Sequence, residues 1–132
     1  MAEFISHFFT REEVACKCGC GFDAVSQEVL RPADAYREHY SKPIIPSSVC
    51  RCVPHNRKVG GAKASYHLPH VRNKLSNGVM MFESKAMDLP VDDPKAAAKW
   101  FSENYPSISF LVYPDFIHID ARKHRYTRYL QS

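Results

Sequence analysis

Two runs rich in β-branched and aromatic residues, "SISFLVY" and "FIHIDA", stand either side of Pro114 and Asp115. Such runs read as strands, either a pair or one bent strand, and they commit this part of the chain to a sheet. Side chains alternate across a strand, so His118 and Asp120 share a face with Phe116 while Ile117 and Ile119 take the other. Packing the two isoleucines into a core turns an imidazole and a carboxylate toward a common cleft.

The remaining segments supply helices in mixed order with strands. "TREEVAC" carries a capping box, Thr10 with Glu13 three residues on, and opens a short helix. "SQEVLRPADAYREHY" has a cap at Ser26 and an apolar face of Val29, Leu30, Ala33 and Tyr36, provided Pro32 falls in the first turns. "DDPKAAAKWFSENY" is the strongest helix, with Asp92 or Asp93 as cap, Pro94 in the first turn and alanines in the middle. "KPIIPSSVCRC" predicts a strand beginning after Pro43 and bent or broken at Pro46, and "PHNRKVGG" a short helix or turn. The expected class is α+β, a small antiparallel sheet with flanking helices in one domain spanning 1–132.

Composition excludes more than it selects. Hydrophobic residues at 45% and charged residues at 24% are ordinary for a globular chain. No apolar run approaches the roughly 20 residues of a membrane span, so no membrane partner is expected. "MAEFISHFFTREEV" lacks the three-part pattern of a signal peptide, which predicts synthesis in a cytoplasm. The net charge of +4 is mild. Its densest basic stretch is the tail, where Arg122, Lys123, Arg125 and Arg128 surround Tyr126 and Tyr129. No nucleic-acid motif accompanies that stretch, so a solvated segment is the expectation and nucleic acid is not an expected partner.

Five cysteines fall in two clusters, Cys16, Cys18 and Cys20 in "CKCGCG" and Cys50 and Cys52 in "CRC". Zinc sites usually space paired cysteines by two to four residues, a poor fit to these one-residue gaps. A structural zinc site and a disulfide between the clusters stay open beside the default, reduced and partly buried thiols.

A lone aspartate, Asp88, interrupts the apolar stretch "KAMDLP", and His67 sits in "SYHL" within a glycine-flanked loop. Burying an unpaired carboxylate is costly, and a cation removes the cost. His67, Asp88 and His118 together offer two imidazoles and a carboxylate, the donor set of a catalytic zinc with one position left open. Asp115, three residues before His118, is the candidate to take a proton from attacking water.

Taken together, "SSVCRCVPHNRKVGGAKASYHL", "KAMDL" and "YPDFIHIDAR" resemble the zinc D-Ala-D-Ala peptidases of the M15 group, whose fold is shared with Hedgehog signalling domains. The group's signature is Ser-x-His, then Gly-x-Ala-x-Asp, then a distant strand histidine, and the similarity runs from about Phe8 to Arg122. The resemblance implies one zinc ion held by His67, Asp88 and His118. It implies Asp115 as catalytic carboxylate with Asp120 in reserve, and Arg51 as a contact for the substrate's carboxylate or carbonyl. Ser65 would shape the loop that presents His67, while His55 and Asn56 read as structural. The implied activity is hydrolysis of stem peptides in bacterial peptidoglycan by a monomer of phage or bacterial type, acting on the wall after release or carried in a phage particle. A zinc-containing binding module of the same fold is the alternative.

One departure from the group pattern stands out. His67 and Asp88 are 21 residues apart, far more than in the group, and Ser84 replaces the signature glycine. The added segment, 69–84, has a turn signal at Asn77-Gly78 and reads as a β-hairpin or flap. A longer loop adds little closure cost, so both ligands can still meet. His70, inside the segment, is a further candidate metal or substrate contact.

Overall fold

A computed structural model describes residues 3–122 and 127–129. Lys123, Arg125 and Tyr126 of the basic tail lie outside the described residues. The architecture is α+β, as the sequence predicts. Four short strands form the main sheet in the order β3 (Ala86–Pro90), β5 (Phe116–Asp120), β4 (Ser109–Val112), β6 (Thr127–Tyr129). The central strand β5 pairs antiparallel with both β3 and β4, and β6 pairs with β4 in parallel. The two terminal runs are thus a strand pair, turned at 113–115.

The sheet's two faces separate as strand alternation dictates. Met87 and Leu89 of β3, Ile117 and Ile119 of β5, and Phe110 and Val112 of β4 all enter one core. Helices α2 (Gln27–Tyr40) and α4 (Pro94–Asn104) cover that face, bringing Val29, Leu30, Ala33, Tyr36, Ala97, Ala98 and Phe101. The capping expectations hold. The Ser26 hydroxyl accepts from the Glu28 N–H and the Asp93 carboxylate from the Ala96 N–H, so each removes an orphan donor from its helix start. Pro32 lies buried in the second turn of α2, and the helix runs on through it to Tyr40. Short α1 (Arg11–Val14) carries the complete Thr10–Glu13 capping box.

The strand expected after Pro43 does not form. Residues 43–52 run as an irregular strap whose backbone pairs with the sheet at an isolated bridge between Ser48 and Asp88. Pro43 and Pro46 lack the N–H groups a ladder needs, which limits pairing to that one site. The Asp88 N–H donates to the Ser48 carbonyl (2.8 Å) and the Ser47 N–H to the Asp88 carbonyl (3.0 Å), so the strap seals the open edge of β3. Short α3 (Val53–Lys58) follows the strap.

Residues 70–83 form a separate antiparallel hairpin, β1 (His70–Lys74) and β2 (Met80–Glu83). Gly78 occupies the left-handed region (φ 88°) in its turn, beside Asn77, whose side chain accepts from the Val79 N–H. Val71, Leu75, Val79, Met80, Met81 and Phe82 are all exposed along it. Among the described residues no helix is long and apolar enough to cross a membrane.

Phe101 is fully buried and packs against Tyr36 and Trp100. Phe101→Ala is expected to lower stability by about 3–5 kcal/mol, read from a denaturant titration. Ile45→Ala, at an exposed position, should cost under about 0.5 kcal/mol.

Candidate metal centre

Register builds the site. Asp88 on β3 stands directly opposite His118 on β5, and Leu111 of β4 flanks His118 on its other side. The neighbouring pairs, Met87 with Ile119 and Leu89 with Ile117, face the core, so Asp88 and His118 meet on the opposite face. His67 arrives from the loop after α3. Its backbone N–H donates to the Ser65 hydroxyl (3.2 Å), and its carbonyl accepts from the Arg51 N–H (3.0 Å). Ser65 thereby shapes the turn that delivers the imidazole.

The three side chains converge on one carboxylate oxygen. His67 Nε2 lies 3.1 Å and His118 Nδ1 2.9 Å from Asp88 Oδ1. All three residues are buried, and one ligand atom from each lies within 4.8 Å of the others. The outer ring nitrogens are fixed. His67 Nδ1–H donates to the Val49 carbonyl (2.7 Å), and His118 Nε2–H donates to Asp120 Oδ2 (2.8 Å). A carbonyl can only accept, so His67 Nδ1 must carry a proton, and it is Nε2 that points inward, where it can give up its own proton to a metal. This division is what metal-bound histidines require.

Charges inside the triad compensate one another. Burial opposes ionisation of Asp88, yet hydrogen bonds from His118 and His67 outweigh it and hold the carboxyl well below its usual range. Burial likewise opposes the charged form of His118, but Asp120 and Asp88 hold it up at about 9. Asp120 is itself buried, and its carboxyl is lowered because the Arg122 guanidinium and His118 overcome the desolvation. Two imidazoles thus surround one anionic oxygen in a desolvated pocket. Ligand atoms around tetrahedral zinc sit about 3.4 Å apart, a few tenths of an ångström wider than the present hydrogen bonds. The donor set fits a divalent first-row metal with one face open to the cleft.

That cleft has a volume of about 530 Å³ and is lined by Arg51, Ser65, Tyr66, Tyr113, Phe116 and Arg122 around the triad. Arg51 is anchored through Nε to Ser48 (2.9 Å) and through Nη1 to Asn56 (3.1 Å), with Nη2 3.5 Å from Asp88 Oδ2. Asn56 is buried and also donates to the Ala62 carbonyl, so its role is to hold Arg51. A methyl group on Gly61 would sit 2.1 Å from Asn56 Oδ1 and 2.7 Å from Arg51 Nη1, which explains a glycine there. The aromatic walls are Tyr113 stacked on Phe116, and Tyr66 beneath the Arg122 guanidinium.

Other sequence candidates fall elsewhere. Asp115 is exposed in the 113–115 turn, between the wall residues Tyr113 and Phe116 but not itself lining the cleft. Asp120 has both oxygens engaged, Oδ1 by the Arg122 N–H and Nε and Oδ2 by His118 and Arg122 Nη2, so it orients His118. His55 lies on α3 outside the triad, and His70 stacks on Tyr66 and donates through Nδ1 to the Leu68 carbonyl. Sequence reasoning missed the Val49 carbonyl, which no residue type could have flagged, and Arg122, which alternation from Asp120 could have found. Ser84, at the signature's glycine position, is buried and donates to the same Val49 carbonyl (2.9 Å).

His67→Ala is expected to abolish binding of the ion at this centre. Asp120→Asn should keep the ion but weaken its affinity by about 10–100-fold, as measured by competition with a chromophoric chelator. Gly61→Ala should weaken that affinity less than Asp120→Asn does, because it displaces Asn56 and Arg51, whose contact with the ligand Asp88 is long (3.5 Å).

Residues 7–120 match the sequence model of the family described as Peptidase M15. No curated protein and no solved structure matches the chain.

Proposed function

Since the chain belongs to the Peptidase M15 family, we propose that it is a zinc peptidase that hydrolyses peptide bonds in the stem peptides of bacterial peptidoglycan. The observation that carries this reading is the buried His67–Asp88–His118 triad opening on a cleft with cationic and aromatic walls. Zinc, when bound, polarises a carbonyl and lowers the pKa of a coordinated water to about 7.

The chain's own residues do the rest. His67 and His118 present Nε2 and Nδ1 because Val49 and Asp120 hold their other nitrogens. Arg51 has five N–H donors, of which Ser48, Asn56 and Asp88 occupy three, so two remain for a carboxylate or carbonyl of the substrate. Stem peptides are short and carry free carboxylates, which suits a cleft lined by Arg51 and Arg122. Tyr113 and Phe116 offer a flat apolar wall to the small side chains. Asp115 takes the proton from the attacking water and returns it to the leaving amine; Asp120 is excluded from this by its four hydrogen bonds. Catalytic hydrogen bonds often tighten only once substrate is bound, which is compatible with the exposed position of Asp115.

Purified protein incubated with isolated peptidoglycan should release new amines, and a chelator should stop the release. Zinc binding without release would instead favour the non-catalytic module. Asp115→Ala should retain zinc and reduce turnover by about 10²–10⁴-fold; unchanged turnover would remove Asp115 from the mechanism. Replacing residues 71–82 by a short turn, with Ser84 kept, should change which peptides are cut more than the zinc affinity.

A further inference from the structure

A second constellation of metal-ligating side chains lies away from the cleft. The sulfurs of Cys16, Cys18, Cys20 and Cys52 all lie within 4.8 Å of one another. Three of the separations are 3.4 Å (Cys16–Cys18), 3.5 Å (Cys18–Cys52) and 3.8 Å (Cys16–Cys52). A disulfide joins only two sulfurs, at about 2.05 Å, and none is formed by the five cysteines. Four thiolates at about 2.3 Å from one tetrahedral zinc stand about 3.8 Å apart. The observed spacings match that edge.

We propose that Cys16, Cys18, Cys20 and Cys52 form a closed tetrathiolate site for one structural zinc ion, separate from the His67–Asp88–His118 centre. The one-residue gaps in "CKCGCG", which argued against zinc in the sequence, are reconciled by the backbone. In an extended strand, residues two apart would place their sulfurs about 6.6 Å apart, too far to share an ion. Here the chain turns tightly instead. The Gly19 N–H closes back on the Cys16 carbonyl (3.1 Å), and Gly19 (φ 80°) and Gly21 (φ 94°) take left-handed conformations. That coil brings three sulfurs to one side, where Cys52 supplies the fourth.

The surroundings of Cys16 suit a thiolate. The Cys52 backbone N–H donates to Cys16 Sγ at 3.4 Å, an interaction that stabilises negative charge on the sulfur. Cys18 and Cys20 are exposed, so an ion can enter. Cys50, the fifth cysteine, points away and donates to the Ala24 carbonyl (3.3 Å). All-sulfur tetrahedral ligation selects zinc or iron, and a cage this small holds one ion rather than an iron–sulfur cluster, whose cysteines are divided among several irons. The site has a clear place in the fold. Cys52 caps α3 and adjoins Arg51, so the ion would pin the strap 43–52 to the N-terminal segment, and with it Val49 and Arg51 at the cleft.

The test is metal analysis of untagged protein expressed with zinc, for the native chain, His67→Ala and the double variant Cys18→Ser/Cys20→Ser. Native protein should carry two zinc ions per chain and each variant one. The decisive measurement is zinc X-ray absorption on His67→Ala, which also covers the case in which the double variant does not fold. A shell of four sulfurs at about 2.3 Å is expected. A native chain with a single zinc that His67→Ala removes, a nitrogen–oxygen shell, or iron in place of zinc would each overturn the proposal.

Discussion

The carboxylate of Asp88 organises this protein. It is held in the middle of a strand, between Met87 and Leu89, which are fully buried in the core. Removing a carboxylate from water is expensive unless charge and hydrogen bonds compensate. Two imidazoles, a guanidinium and the opposed strand position of His118 do so here. Each compensating group is in turn fixed by another: His67 by the Val49 carbonyl, His118 by Asp120, Asp120 by Arg122, and Arg51 by Asn56. The result is a desolvated, preorganised donor set able to coordinate a metal ion.

That chain of dependencies explains the asymmetry of the fold. The sheet's core face is conventional, with two capped helices over alternating aliphatic residues. The opposite face is irregular, built from the strap 43–52 and the loop 59–69. Irregular backbone there is what lets a carbonyl, Val49, serve as acceptor for both His67 and Ser84 instead of being spent on a sheet ladder. The open edge of β3 is closed by the strap at Ser48, so Asp88 is fixed by its backbone as well as by its side chain.

Much of this was legible in the sequence because it depends on local patterns. The alternation in "FIHIDA" placed Ile117 and Ile119 in the core and His118 and Asp120 on the other face, and the caps at Thr10, Ser26 and Asp93 were readable from residue type and spacing. The strap was misread as a strand because its composition is β-like while its prolines remove the donors a strand must offer. The convergence of Cys16, Cys18, Cys20 and Cys52 was not readable from their spacing, because Gly19 and Gly21 permit a coil tighter than an extended or hairpin knuckle. Which nitrogen of each histidine faces inward was unreadable, since Val49 contributes only its backbone.

The most direct test of the central claim is X-ray diffraction from crystals of the zinc-loaded protein, collected on both sides of the zinc absorption edge. An anomalous peak about 2.0–2.2 Å from His67 Nε2, Asp88 and His118 Nδ1 is the predicted result. Well-ordered density with no peak there, and with both imidazoles still hydrogen-bonded to Asp88, would mean that the triad is a buried polar network and not a metal centre.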